Sequence, residues 1–152
     1  MKLYALQIIK SHPMLRISVS RTFLIERRFD SKKVYVFFFF FCWFFGSQRI
    51  EAFGGPNEVG EAVIRTITRA SKRPDLKGTL IQTTLREDST RNVKYYELEF
   101  KVESSSFRRH NVAVCFVYRG KLYTLNAQAP ESEWPGLKSE MRTIANSFCL
   151  SA

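Results

Sequence analysis

The stretch that decides the fold reads Tyr96-Glu97-Leu98-Glu99-Phe100-Lys101-Val102-Glu103. Large apolar residues alternate strictly with charged ones, as in a strand with one buried face and one face in water. Strands of a parallel sheet are covered on both faces and lack this alternation. The stretch therefore predicts an antiparallel sheet.

The segments that follow predict further strands of the same sheet. Residues 111–118 are apolar on both faces, which indicates a central strand. Arg119-Gly120-Lys121 is a tight turn in which Gly120 can take a positive φ. It leads into a strand over residues 122–127, so the two strands form a hairpin. Residues 80–86 are rich in Thr and β-branched residues and predict another strand.

Two amphipathic helices flank these strands in the sequence. The first begins at Gly54-Gly55-Pro56-Asn57-Glu58, with Gly at the cap, Pro at the first helical position and Glu in the first turn. Its apolar spacing continues to about Ala70. The second follows Pro130 and carries one apolar stripe: Trp134, Leu137, Met141, Ile144, Ala145 and Phe148. This order predicts an α+β fold, with a central antiparallel sheet flanked by helices in an α-β-α sandwich.

Residues 1–49 differ from the rest of the chain. They hold 9 Lys and Arg against 2 Asp and Glu, and so carry +7 of the net charge of +10. An apolar, Phe-rich run of 12 residues, 34–45, is too short for a membrane-spanning helix, which needs about 20 residues. Three interpretations remain open: a membrane anchor, a targeting signal, or a start that comes from mis-splicing or mis-annotation. We expect residues 1–49 to lie outside the fold and residues 50–152 to form a partial domain.

Four stretches of the chain resemble the PsbP family, in the family's order. They are Phe53-Gly54-Gly55-Pro56-Asn57-Glu58-Val59, Arg108-Arg109-His110-Asn111-Val112-Ala113-Val114, Gly120-Lys121-Leu122-Tyr123-Thr124-Leu125-Asn126-Ala127-Gln128-Ala129-Pro130-Glu131, and Ala145-Asn146-Ser147-Phe148. Trp134 and the upstream strand Tyr95-Tyr96-Glu97-Leu98-Glu99-Phe100 resemble the family as well. The resemblance implies a non-enzymatic extrinsic protein of photosystem II (its oxygen-evolving complex), or an assembly factor, in the chloroplast thylakoid lumen. It also implies protein–protein contacts with the photosystem II core or its extrinsic subunits, peripheral to the membrane, and a role in calcium or chloride retention.

The resemblance also implies a shortened sheet. Family domains have strands before the first helix, and here residues 1–49 stand in their place. We therefore expect a sheet without its first strands, and residues 50–152 alone to be marginally stable or prone to aggregation.

Basic residues are the candidates for partner binding. Arg65, Arg69, Lys72 and Arg73 cluster at the end of the first helix, where cations also complement the helix dipole. Arg108, Arg109 and His110 lie at the start of a strand. His110 can bind a partner carboxylate or titrate near the pH of the thylakoid lumen, or can make a structural hydrogen bond.

Acidic residues are candidates for a metal, through the family resemblance. Glu97, Glu99 and Glu103 line one face of a strand, where they can either contribute to a calcium site, with Glu97 and Glu99 as the candidates, or form a solvated face. Calcium requires six to eight oxygen ligands, so two carboxylates are far from a complete site. We expect no tightly bound cofactor.

Other classes of function have little support in the sequence. Ser104-Ser105-Ser106 near His110 lacks the context of a catalytic nucleophile, and no Gly-rich phosphate loop occurs. Cys42, Cys115 and Cys149 have no disulfide or zinc spacing, and the last two are expected to be buried. We therefore predict no enzyme, no small-molecule substrate and no nucleic-acid partner. The alternatives are a truncated isoform without lumenal function, and a basic binding module unrelated to photosynthesis.

Overall fold

The computed structural model describes three N-terminal strands by their backbone pairing and residues 49–150 in full. The strands are β1 (Ile17–Val19), β2 (Thr22–Phe29), β3 (Lys32–Phe41), β4 (Lys77–Asp88), β5 (Val93–Glu103), β6 (Arg108–Tyr118) and β7 (Lys121–Pro130). The helices are α1 (Pro56–Ala70) and α2 (Trp134–Ser147), with short 3-10 turns at Ile50–Phe53 and Glu131–Glu133.

The described strands form one sheet in the order β1-β2-β3-β7-β6-β5-β4, and every neighbouring pair is antiparallel. This confirms the predicted antiparallel α+β fold. The predicted hairpin is also confirmed, since Tyr118 pairs with Lys121. Between them, Arg119 has φ 50° and Gly120 has φ 71°. Two consecutive positive φ angles suit a two-residue hairpin loop, because this backbone twist matches that of the flanking strands.

The N-terminal strands correct one prediction. Residues 1–49 were expected to lie outside the fold, whereas β3 pairs with β7 from Tyr35 opposite Gln128 to Phe41 opposite Leu122. The sheet therefore does not lack strands before the first helix. A run of aromatic residues favours a strand by propensity. Because these residues do not alternate with polar ones, the sequence pattern did not predict β3. The other N-terminal expectations, on its origin and on the stability of residues 50–152 alone, stay predictions.

Each face of the sheet is covered by one of the described helices. The stripe of α2 packs with Tyr95, Val114, Phe116 and Leu125. The Ile50–Phe53 turn and α1 pack on the other face, against Leu98, Phe100 and Ala113. Because β6 contributes alternate residues to both clusters, it is buried on both faces, as predicted for a central strand. Within the described residues, no helix has the length and the apolar character needed to cross a membrane.

Two glycines allow α1 to lie close to β4. A Cβ at Gly60 would lie 3.0 Å from Leu80 Cδ1, and a Cβ at Gly78 would overlap Ile64 Cγ2. Ile64 is buried, so its side chain has little space to move aside. The short distance between α1 and β4 is thus possible because Gly60 and Gly78 have no side chains.

We expect Gly78→Ala to lower the free energy of unfolding by about 1–3 kcal/mol, because the added methyl group displaces Ile64 from a packed site. Urea unfolding of the full chain measures the change. Gly136→Ala, at an exposed position of α2, is the matched control. It should be neutral or stabilising by up to about 1 kcal/mol, since Ala is the better helix former. Equal effects of the two substitutions would contradict the close approach of α1 to β4.

Candidate functional site

His110 is buried between two carboxylates. It is 3% exposed, its Nδ1 lies 2.9 Å from Glu131 Oε2, and its Nε2 lies 2.9 Å from Glu99 Oε1. The ring stacks on Trp134, with centroids 3.6 Å apart and planes at 10°. A neutral imidazole has a single N–H, so donation to both carboxylates requires the imidazolium form.

Two outer cations complete this arrangement. Arg142 Nη2 donates to Glu99 Oε2 at 3.1 Å, and Lys101 Nζ donates to Glu131 Oε1. We call Glu99, Lys101, His110, Glu131 and Arg142 the His110 network. It connects β5, β6, the turn before α2, and α2 itself. The register places Lys101 directly opposite His110, so the pairing of β5 with β6 brings the network together.

The carboxylates of the network are stabilised in their charged form. Burial alone would raise the pKa of Glu99, but hydrogen bonds from His110 and Arg142 outweigh it and lower that pKa below the ordinary 4.5. Burial likewise opposes ionisation of Glu131, and hydrogen bonds from Lys101 and His110 lower its pKa below 4.5. Each carboxylate therefore remains charged beside its cations.

Of the two roles considered for His110, the geometry favours the structural hydrogen bond. Both ring nitrogens are engaged within the chain, and the ring has almost no contact with solvent. The buried His110 is therefore not accessible to a partner.

Glu97 and Glu99 do not fit a calcium ion. Arg86 Nε lies 2.7 Å from Glu97 Oε1, and its Nη2 also donates to the Phe148 carbonyl at 3.1 Å. Glu99 is bound by His110 and Arg142, so both carboxylates face cations. The described residues contain no group of three or more His, Cys, Asp or Glu side chains that could hold a metal ion. Both side chains are paired and at most 20% exposed, whereas Glu103 on the same face is 45% exposed, so only that end of the face is solvated.

The two predicted basic clusters meet at one end of the molecule. The guanidinium groups of Arg73 and Arg109 both lie over the ring of Phe107, at 5.6 Å and 5.4 Å from its centroid. Arg73 Nη1 also donates to Ser106 Oγ at 3.2 Å. We call the following residues the basic surface: Arg65, Arg69, Lys72, Arg73, Arg108 and Arg109. Phe107, which joins its two parts, was missed because nothing local distinguishes an aromatic residue in a loop.

Two further features accompany these sites. A groove of about 190 Å³ runs between α2 and strands β4 and β5, and its mixed lining includes the polar residues Gln82, Thr84, Glu97, Glu99, Arg142 and Asn146 beside the apolar Leu98, Val112 and Ala145. The sequence did not predict it, because its walls come from distant segments. Burial raises the pKa of the Cys115 thiol to about 11, so this thiol is unreactive at neutral pH. The predicted burial is thus confirmed for Cys115, while Cys149 is half-buried.

An antiparallel sheet with a helix on each face defines a small α+β domain. The chain belongs to the PsbP family, whose sequence model matches residues 41–150. This family is associated with photosystem II. The two predicted assignments, of family and of fold class, are therefore confirmed.

Several relatives show how far the similarity extends. The chain is 68% identical over 102 residues to PsbP domain-containing protein 7, chloroplastic, of Arabidopsis thaliana, which covers 67% of this chain and 36% of that protein. It is 33% identical over 107 residues to CyanoP of Thermosynechococcus vestitus, covering 67% of this chain and 57% of that protein. The chain thus spans between about a third and somewhat over half of the curated relatives it matches.

Solved structures share the fold. The solution structure of cyanobacterial PsbP (CyanoP) from Synechocystis aligns with a TM-score of 0.68 at 24% identity, over 85% of this chain and 74% of that one. A protein of unknown function from Pseudomonas aeruginosa aligns with a TM-score of 0.53 at 9% identity, over 92% and 88%. At these identities the likeness concerns the fold alone.

We expect His110→Ala to destabilise the protein by about 3 kcal/mol, because it leaves two partly buried carboxylates without their shared donor. Urea unfolding at neutral pH measures the loss. Arg108→Ala is the control, because it breaks the ion pair between Arg108 and Glu103. These residues lie opposite each other on β6 and β5, and their side chains are 76% and 45% exposed. That loss should stay below about 1 kcal/mol. A similar loss for both variants would show that the His110 network is not a stabilising unit.

The lowered pKa values of Glu99 and Glu131 predict a loss of stability in acid. In the folded protein these groups release protons at lower pH than in the unfolded chain, so their contribution is complete above about pH 4.5. It is lost as the pH falls through the folded pKa values. Urea midpoints measured from neutral pH down to about pH 3 should fall less steeply in the double variant Glu99→Gln, Glu131→Gln. Parallel curves for the two proteins would contradict this assignment.

Proposed function

We propose that this protein is a non-enzymatic extrinsic component or assembly factor of photosystem II in the chloroplast thylakoid lumen, acting through protein–protein contacts. The observation that carries this proposal is the convergence of two basic clusters into the basic surface. Membership of the PsbP family and the similarity to a chloroplastic relative support the setting.

The basic surface suits an acidic protein partner. Arg65, Arg69 and Lys72 are exposed along the end of α1 and the loop after it. Asp75, in the loop after α1, accepts hydrogen bonds from the Ser105 hydroxyl at 2.7 Å and the Ser105 amide at 3.1 Å. That carboxylate thus holds two loops together and leaves the exposed cations for a partner. A surface of one charge sign accelerates association with an oppositely charged partner and gives it a preferred orientation.

The stacking on Phe107 gives this surface a fixed shape. A guanidinium over an aromatic ring loses less freedom on binding than an arginine extended into water. Arg73 comes from the loop after α1, whereas Arg109 comes from β6. Their shared contact holds cations from two segments in a constant arrangement, which favours recognition of a specific acidic surface.

The chemistry near His110 supports a binding role over catalysis. General-base catalysis by a histidine needs a ring nitrogen free to accept a proton from a nucleophile. Both nitrogens of His110 are instead bonded to carboxylates. The nearby serines bond among themselves and to Asp75, since Ser104 Oγ lies 3.2 Å from Ser106 Oγ and Ser105 Oγ bonds the carboxylate.

A contribution to calcium or chloride retention would be indirect under this proposal. Glu97 and Glu99 are bound by Arg86, His110 and Arg142, so they are poor candidates for ion ligands. The protein would limit ion loss by covering lumenal parts of the photosystem.

We expect Arg69→Glu to weaken binding of the full chain to photosystem II-enriched membranes about fivefold, a change of about 1 kcal/mol. Co-sedimentation at several salt concentrations measures it, and the difference should shrink as salt screens the charges. Lys138→Glu is the control, because it makes the same change of charge at an exposed position of α2. It should bind like the unaltered protein.

Other outcomes would point to the alternatives. No binding to the membranes at low salt would contradict the photosystem proposal and favour an isoform without lumenal function. Equal weakening by both substitutions would show that net charge, and not the basic surface, drives association. Salt-sensitive retention on heparin, together with absent membrane binding, would favour a basic module unrelated to photosynthesis.

A further inference from the structure

Strand β4 is the last strand of the sheet. Among the described strands it pairs with β5 alone, from Lys77 opposite Glu103 to Asp88 opposite Val93. Its other edge therefore presents backbone N–H and C=O groups that no described strand satisfies. At 12 residues, β4 is a long edge strand. Long exposed edges readily pair with another chain.

Two apolar side chains mark this edge. Ile81 and Leu85 are each 45% exposed, and they are the large hydrophobic residues classed as exposed among those the structure describes. Ile81 is the extra residue of a β-bulge, since Leu80 lies opposite Phe100 and Gln82 opposite Glu99. The bulge interrupts the two-residue alternation of the strand, so Ile81 and Leu85 are assigned to this edge by their exposure.

Helix α1 covers only one half of β4. Gly60 lies against Leu80, Gly78 lies against Ile64, and Thr83 Oγ1 donates to Asn57 Oδ1 at 2.7 Å. The helix therefore runs antiparallel to β4 and begins over Thr83. Leu85 lies on the same face but beyond the start of the helix. This explains why a leucine is left exposed there.

We propose that β4 pairs antiparallel with β4 of a second copy of this chain, with Thr83 on the two-fold axis. In this register Ile81 lies opposite Leu85 of the second copy, and Leu85 lies opposite its Ile81. One symmetric contact thus covers both exposed apolar residues on both chains. In each copy, α1 covers one half of β4 and leaves the other half uncovered. In the dimer, the uncovered half of one copy lies beside the covered half of the other.

The charges along β4 complement themselves in this arrangement. Lys77 lies at the first end of the strand, and Glu87 and Asp88 lie at the other end. Antiparallel pairing about Thr83 places Gly78 opposite Asp88 and Thr79 opposite Glu87. Lys77 then lies diagonally across from Glu87 of the second copy, within reach of its long side chain. A parallel arrangement would instead place like charges together.

The size of the contact predicts a weak dimer. Only one strand edge and its flanking side chains are buried, which is well below the area of a stable interface. The dimer should therefore form in a concentration-dependent manner.

Sedimentation velocity of the full chain over a range of concentrations tests the proposal. We expect reversible dimers, and Leu85→Lys should raise the dimer dissociation constant at least about tenfold. Leu85 is already half-exposed, so this change leaves the fold intact. Ser139→Lys, at an exposed position of α2, adds the same charge away from β4 and should leave the dissociation constant unchanged. A monomer at every concentration, or a dimer indifferent to Leu85→Lys, would overturn the proposal.

A cysteine scan tests the register independently. Opposite residues of an antiparallel pair have Cα atoms about 4.5–5.5 Å apart, within the range that a disulfide spans. Thr83→Cys should therefore give a covalent dimer under mild oxidation. Thr79→Cys should not, because its two copies would lie about 26 Å apart along the strands. Oxidation of the unaltered chain gives the background from its own cysteines. Equal cross-linking at residues 79 and 83 would refute the two-fold at Thr83.

Discussion

The position of α2 depends on the imidazole of His110 between the carboxylates of Glu99 and Glu131. The histidine belongs to β6, Glu99 belongs to β5, and Glu131 lies in the turn that leads into the helix. Removing any one of these groups would leave a charge without its partner in a largely dry site, which costs more than the bond itself contributes. The network therefore fixes the start of α2 relative to the sheet. Trp134, stacked on the histidine, then begins the apolar stripe at a defined place on the core.

This constraint has consequences for the neighbouring surfaces. Glu99 and Arg142 belong to the network and also line the groove between α2 and strands β4 and β5. The shape of the groove therefore depends on the same ion pairs. On the opposite face α1 is held differently, by close contact through glycines and without buried charge. The two helices are thus attached to one sheet by two different physical means.

The charged residues divide into two groups with different roles. The His110 network neutralises its charges internally, and it contributes to the stability of the fold. The basic surface leaves its cations exposed, and Phe107 holds two of its arginines in place. Under the proposed function these exposed cations bind an acidic partner, while the internal pairs make Glu97 and Glu99 poor ligands for calcium. The presence of cations alone does not distinguish the groups, since both contain Arg and Lys.

The sequence by itself determined the antiparallel sheet, both helices, the hairpin at Gly120 and the family. These features depend on local periodicity and on turn and cap residues, which act over a few positions of the chain. Only the tertiary structure decided the partners of Glu97, Glu99 and His110, because cross-strand register and helix docking bring together residues that are far apart in sequence. The same holds for β3, whose aromatic run has no alternation to mark it and whose place is set by the open edge of β7. Local patterns specify the elements, whereas long-range pairing specifies which charges meet.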